Sequence, residues 1–199
     1  MIKVAVTGGI GSGKSTLCQA FSRAGIPIYN TDIEAKRLMN EESKLRQAII
    51  AEFGAEAYND EGINRQFLAA TVFGNPERLS ALNSIVHPAV MRDFEMWSMI
   101  HAESMPYVIL ESAILFESGF DKCVDLTVAV LAPEELRLMR VVNRDGVTAE
   151  QVRARMAAQL SEEELNERAD YTVVNIIEGE MDDAAQRLDQ IFKHEASKR

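Results

Sequence analysis

The chain has 199 residues, 47% hydrophobic and 26% charged, and 21 Lys and Arg against 31 Asp and Glu give it a formal charge of −10. That length supports one sizeable core with one or two appended subdomains, and the acidic balance argues against a duplex nucleic acid as partner. Cys18 and Cys123 make neither a disulfide framework nor a metal-ligand spacing, and no apolar run is long enough to span a bilayer. The expectation is a cytoplasmic protein with reduced, buried thiols, no membrane partner and no signal peptide, since Met1 leads directly into IKVAV.

The first predicted element is a buried strand, KVAV at 3–6, followed by VTGGIGSGKST at 6–16. Gly8-x4-Gly13-Lys14-Ser15 satisfies the P-loop pattern, and its context is right: a strand precedes it and a helical pattern, STLCQAF, follows. Glycines let successive backbone N–H groups converge on phosphate oxygens, and the start of the next helix adds donors and the positive end of its dipole. Lys14 is a compact cation suited to β- and γ-phosphates, and Ser15 offers a hydroxyl ligand to Mg²⁺. A second strand, IPIY at 26–29, leads to Thr31-Asp32-Ile33-Glu34, a capping-box pattern with Asp32 at the first helical position. Asp32 either complements the helix dipole or, leaving its strand at the edge where ligands gather, accepts a proton from an attacking hydroxyl or helps hold a metal.

Residues 33–105 carry only helix signals: Leu45, Ile49 and Phe53, then Leu79, Leu82 and Val86, then Val90, Phe94 and Trp97, with Pro88 at a helix start. Strands YVILE at 107–111, LTVAVL at 126–131 and YTVVNI at 171–176 are rich in β-branched residues and continuous rather than alternating, as in a parallel sheet buried on both faces. Between the last two, residues 133–168 hold three helix-start signals, at Pro133, Thr148…Gln151 and Ser161…Glu164, which read as a mobile helical hairpin. Within it, residues 137–155 hold Arg137, Arg140, Arg144, Arg153 and Arg155 against only Asp145 and Glu150; the first three share a helix face. Such a face is either merely solvated or closes over a triphosphate to neutralise charge and exclude water. A closing amphipathic helix carries Ala184, Leu188, Ile191 and Phe192, and the final HEASKR is expected to fray.

Together these motifs resemble the dephospho-coenzyme A kinase family: TGGIGSGKS at 7–15, Asp32, LNSIVHP at 82–88, ILFESGF at 114–120, R-x3-RD at 140–145, RMAAQ at 155–159 and AD-x4-N at 169–175. The P-loop is shared very widely, whereas LN-x2-VHP and LFE in this order are far more specific. The resemblance implies an α/β P-loop kinase fold: a five-stranded parallel sheet flanked by helices, with a helical substrate-binding insertion and a helical lid. Its nucleotide-binding core takes residues 1–32, 101–136 and 169–199, its acceptor domain 33–100 and its lid 137–168. It implies an enzyme that phosphorylates the ribose 3′-hydroxyl of dephospho-CoA with ATP and Mg²⁺; separately, a monomer is expected. Asp32, Lys14 and Arg140 are then catalytic. Gly9, Gly11, Ser12, Gly13, Lys14, Ser15, Thr16, Arg140, Arg144 and Asn175 bind ATP, Asn175 near the adenine. Asp32, His87, Phe116 and Glu117 face the acceptor, and Ser15 binds the metal, with Asp32 or Glu111 as further candidates. The chain departs from the family in reading Ala113-Ile114-Leu115-Phe116-Glu117 where Pro-Leu-Leu-Phe-Glu is usual, and Glu111 where an aspartate is common. The competing readings are another P-loop nucleoside-monophosphate or small-molecule kinase, and a nucleotide sensor that transfers no phosphate. A GTPase is disfavoured because no Asn-Lys-x-Asp follows a later strand; the nearest stretch is Asp121-Lys122-Cys123-Val124-Asp125.

Overall fold

The computed structural model describes residues 1–177 and 179–198. In chain order, the first half contains β1 (Ile2–Thr7), α1 (Lys14–Arg23), β2 (Ile28–Asn30), α2 (Thr31–Glu41), α3 (Ser43–Phe53), β3 (Tyr58–Asn59), β4 (Gly62–Ile63), α4 (Arg65–Val72) and α5 (Pro76–His101). The second half contains β5 (Tyr107–Glu111), α6 (Leu115–Ser118), β6 (Leu126–Leu131), α7 (Glu134–Asp145), α8 (Ala149–Met156), α9 (Glu162–Arg168), β7 (Tyr171–Val174) and α10 (Glu180–Ser197). They fall into two compact units, Met1–Asn30 with Trp97–Arg199, and Thr31–Met96.

The first unit is built on a five-stranded, all-parallel sheet in the order β2-β5-β1-β6-β7, as the continuous apolar strands lead one to expect. β5 inserts between β1 and β2, and its register sets Glu111 beside Val6 on one side and Asn30 on the other. The carboxyl ends of β1, β2 and β5 therefore share one edge, the edge where open parallel sheets bind ligands. Every residue of β5 is buried, and Ile2, Val4, Val6, Leu17, Phe21, Tyr107, Ile109, Leu188 and Phe192 form the core between the sheet, α1 and α10. Phe192 stacks on Phe21 and meets Tyr107 edge-on with ring centres 5.3 Å apart. A smaller cluster of Leu138, Val141 and Val152 lies under α7 and α8, with Ile10 of the P-loop packed against it.

The second unit is mainly helical, with two departures from expectation. Tyr58–Asn59 and Gly62–Ile63 form a two-residue antiparallel ladder, pinned when the Ile63 N–H donates to Asn40 Oδ1 at 2.8 Å. Two-residue strands are too short to leave an alternating pattern, which is why the sequence showed only helix there. Pro88 does not begin a helix: it lies inside the 26-residue α5. Proline there removes one backbone bond, but Val86, Ala89, Val90 and Phe94 are buried on either side of it and hold the helix together through the gap. Residues 133–168 form three helices, α7 to α9, each beginning at its own start signal as the sequence indicates. α10 continues to Ser197 instead of fraying at His194, with Lys193–Asp189 and Lys198–Glu195 pairs of 2.7 Å along it. Arg199, the end of HEASKR, lies outside the described residues. No helix among the described residues is long and apolar enough to cross a membrane.

Candidate active site

The P-loop leaves β1 at the centre of the sheet and ends at Lys14, the first residue of α1. Gly13 caps that helix with φ 100°, and a side chain there would strike the Asn175 amide. Gly11, with φ +80°, is pressed from behind by α7: a Cβ would lie 2.6 Å from the Arg137 carbonyl oxygen. These two positions need glycine for conformation and space together. The first turn of α1 has no acidic residue, so its positive end is left for an anion. The Thr7 and Ser12 hydroxyls are buried at the root of the loop without a hydrogen-bond partner among the described residues, a cost that native structures concentrate at functional sites.

Ser15 Oγ donates to Glu111 Oε1 at 2.5 Å, and Asn30 Nδ2 donates to Glu111 Oε2 at 2.8 Å. Glu111 is only 6% exposed, and these bonds stabilise a carboxylate that burial alone would penalise. A hydroxyl and a carboxylate this close are the hard oxygens that Mg²⁺ takes from a protein when phosphates supply further ligands, so the pair fits that ion. The longer Glu111 thus reaches the P-loop serine as well as bracing β5. Asp32 is exposed and is the second residue of α2, two residues along the chain from Asn30.

α7 supplies the arginines, but they do not act as one face. Arg140 Nη1 donates to the Asn175 carbonyl at 3.2 Å, while Arg144 is exposed and paired with Asp145 at 2.7 Å. Arg137 is buried: its guanidinium lies where a side chain on Gly9 would stand, and its Nε is 3.3 Å from Glu162 Oε1. Asn175 is buried too, with its Nδ2 donating to the Ser12 carbonyl at 2.8 Å and its own N–H donating to Leu131. Its side chain is therefore a brace beneath the P-loop.

On the β5 side, Glu117 Oε1 accepts the Leu160 N–H at 3.1 Å, and the Arg168 guanidinium sits 5.9 Å from the centre of the Phe116 ring. His87 is half-buried on α5, and that burial pushes its imidazole below the ordinary histidine range. The structure brings together Gly9, Gly11, Ser12, Gly13, Lys14, Ser15, Thr16, Arg140 and Asn175 around the loop, with Glu111 at its edge. Sequence reasoning left out Arg137 and Gln159 as site residues. Arg137 was visible only as one arginine among five. Gln159, which accepts the Ile10 N–H at 2.8 Å, was visible only as the last residue of RMAAQ, with nothing local to mark its reach to the P-loop.

Comparison with known proteins adds an independent line. A family model described as dephospho-CoA kinase matches residues 2–182. A dephospho-CoA kinase from Salinibacter ruber is 45% identical over 194 residues, covering 96% of this chain and 96% of its own. One from Chlorobaculum tepidum is 38% identical over 196 residues, covering 96% and 93%. Among solved structures, a Thermus thermophilus protein superposes with TM-score 0.80 at 36% identity, over 96% of each chain. A shikimate kinase from Acinetobacter baumannii, at TM-score 0.55 and 16% identity over 96% and 92%, shares the fold alone.

Proposed function

Because the chain belongs to the dephospho-CoA kinase family, we propose how its residues divide the work of moving the γ-phosphoryl of ATP to the ribose 3′-hydroxyl of dephospho-CoA. The chain is an ATP-dependent phosphotransferase, and the family supplies both substrates. Gly9 through Thr16 cradle the phosphates, and Lys14 neutralises charge between the β- and γ-positions. The Ser15 hydroxyl and Glu111 carboxylate are the groups that would hold Mg²⁺, which when bound offsets phosphate charge. Asp32 orients the attacking hydroxyl and accepts its proton, and His87, Phe116 and Glu117 face the acceptor. Arg140, with Arg144 released from Asp145, steadies the transferred group, while Asn175 lies at the adenine end.

The observation that carries this division is Glu111 gripping Ser15 and Asn30 at once. It ties the donor loop to β2, which supports the assignment of Ser15 and Glu111 to the metal, and α2, which carries Asp32, follows β2 in the chain. We also read the enzyme as a cytoplasmic monomer; sedimentation that returns a dimer would reject the second half of that statement.

The test is to offer the purified protein Mg²⁺-ATP with dephospho-CoA, and separately with AMP, CMP or UMP. ATP should be consumed only with dephospho-CoA, and consumption only with a nucleoside monophosphate would overturn the assignment. In the same assay Asp32→Asn should retain ATP affinity and lose turnover by about 10²-fold or more. Near-normal turnover in that variant removes Asp32 as the base.

A further inference from the structure

Gln159 sits in the turn 157–160 between α8 and α9, and both neighbours of that turn are firmly ended. A full capping box at Thr148 and Gln151 starts α8, another at Ser161 and Glu164 starts α9, and the Ala157 N–H closes the end of α8 on the Arg153 carbonyl. The Gln159 N–H itself bonds the Met156 carbonyl at 3.1 Å, so the residue is held in place by its own backbone. Its side chain then bridges two distant loops. Oε1 accepts the Ile10 N–H at the tip of the P-loop at 2.8 Å, and Nε2 donates to the Ala113 carbonyl after β5 at 3.1 Å. The next residue adds a parallel link, Leu160 N–H to Glu117 Oε1. One partner of the Gln159 side chain can only donate and the other can only accept, so an amide in this one orientation satisfies both.

We propose that Gln159 is a positioning residue for phosphoryl transfer, holding the phosphate loop and the Ala113–Glu117 turn in one fixed register. The proposal rests on the functional reading above for what those two loops bind. Ile10 is gripped from both sides, its N–H by Gln159 and its side chain by Leu138, Val141 and Val152. An in-line transfer loses rate when its reacting groups are misplaced by about 1 Å, so a fixed loop tip matters to it.

Two variants separate the two bonds. Q159L removes both at similar volume, whereas Q159E keeps an acceptor for Ile10 and sets a second oxygen against the Ala113 carbonyl. In Q159L, kcat should fall and KM for ATP and for dephospho-CoA should each rise about tenfold. In Q159E, KM for ATP should stay within about twofold of the parent while KM for dephospho-CoA rises as in Q159L. Amide hydrogen exchange over residues 7–12 gives a readout apart from turnover: faster in Q159L, parent-like in Q159E. A merely structural residue would lower Tm and the active fraction in both variants and leave both KM values alone, which overturns the proposal. So does Q159E losing ATP affinity as Q159L does. If Q159L fails to fold, the split between the two KM values in Q159E decides. If the parent itself does not phosphorylate dephospho-CoA, the functional reading falls, and unchanged exchange in Q159L would sink the latch separately.

Discussion

Cys18 shows how far the chemistry of one residue is set by its surroundings. It lies in the second turn of α1, only 2% exposed, and burial pushes its thiol well above the ordinary cysteine range. Glu111 pushes in the same direction and Lys14 opposes it, so the environment that suits a phosphate site leaves this sulfur protonated. Cys123 is less buried, and neither cysteine is in a disulfide. Iodoacetamide at pH 8 should therefore modify Cys123 and spare Cys18 until denaturant is added, as peptide mass spectrometry can read directly. Equal labelling of the two in the native protein would contradict the placement of α1 against the sheet. The sequence reads both sulfurs as buried, which holds for Cys18 but not for the half-buried Cys123, and nothing local distinguishes them. The difference comes from α10 packing over α1.

Among the elements, the short helices α8 and α9 are anchored by their capping boxes more than by their length. Ser161 Oγ accepts the Glu164 N–H at 3.2 Å while Glu164 reaches back to the Ser161 N–H at 2.9 Å, and this places Glu162 where Oε1 accepts the Ala132 N–H. Ser161→Ala should cost about 1 kcal/mol in urea unfolding, the usual worth of an N-cap. A loss within a few tenths of a kcal/mol would mean the seven residues of α9 are held by packing instead. Such caps were readable in advance because donor and acceptor are three residues apart. Two of the five strands were read to the residue for a similar reason, since a buried parallel strand declares itself by continuous apolar composition. The Arg137 and Gln159 contacts were not, because they join residues such as Ile10 and Gln159 that are 149 positions apart. Those pairings exist only once β6 and β7 have joined β1, and strand order leaves no trace in local pattern. The same is true of Glu111 and Asn30, adjacent only because β5 inserts beside β2.

For the whole molecule, three titratable groups shifted by burial tilt the stability of the fold with pH. Tyr107 at the start of β5 donates to Asp189 of α10 at 2.7 Å, with Phe21 and Phe192 against its ring. Burial, then the bond to Asp189 and its charge, hold this phenol far above its ordinary value of 10.0, and Cys18 is likewise raised above 9.0. Both groups therefore keep their protons in the native state after the unfolded chain has begun to lose them. The unfolded state then binds fewer protons, and stability falls as pH rises from about 9 upward. His87 acts on the other flank: its lowered folded value means the unfolded chain binds a proton first, so its contribution is lost as pH falls through about 6.5. Urea midpoints should accordingly pass through a plateau between those limits. Tyr107→Phe should lower the plateau by about 1 kcal/mol for the lost hydrogen bond while flattening the decline above pH 10, and Cys18→Ala should flatten it nearer pH 9. If Tyr107→Phe loses stability with the same steep slope above pH 10 as the parent, the phenol is not the group being titrated, and the clasp between β5 and α10 does not set the alkaline limit.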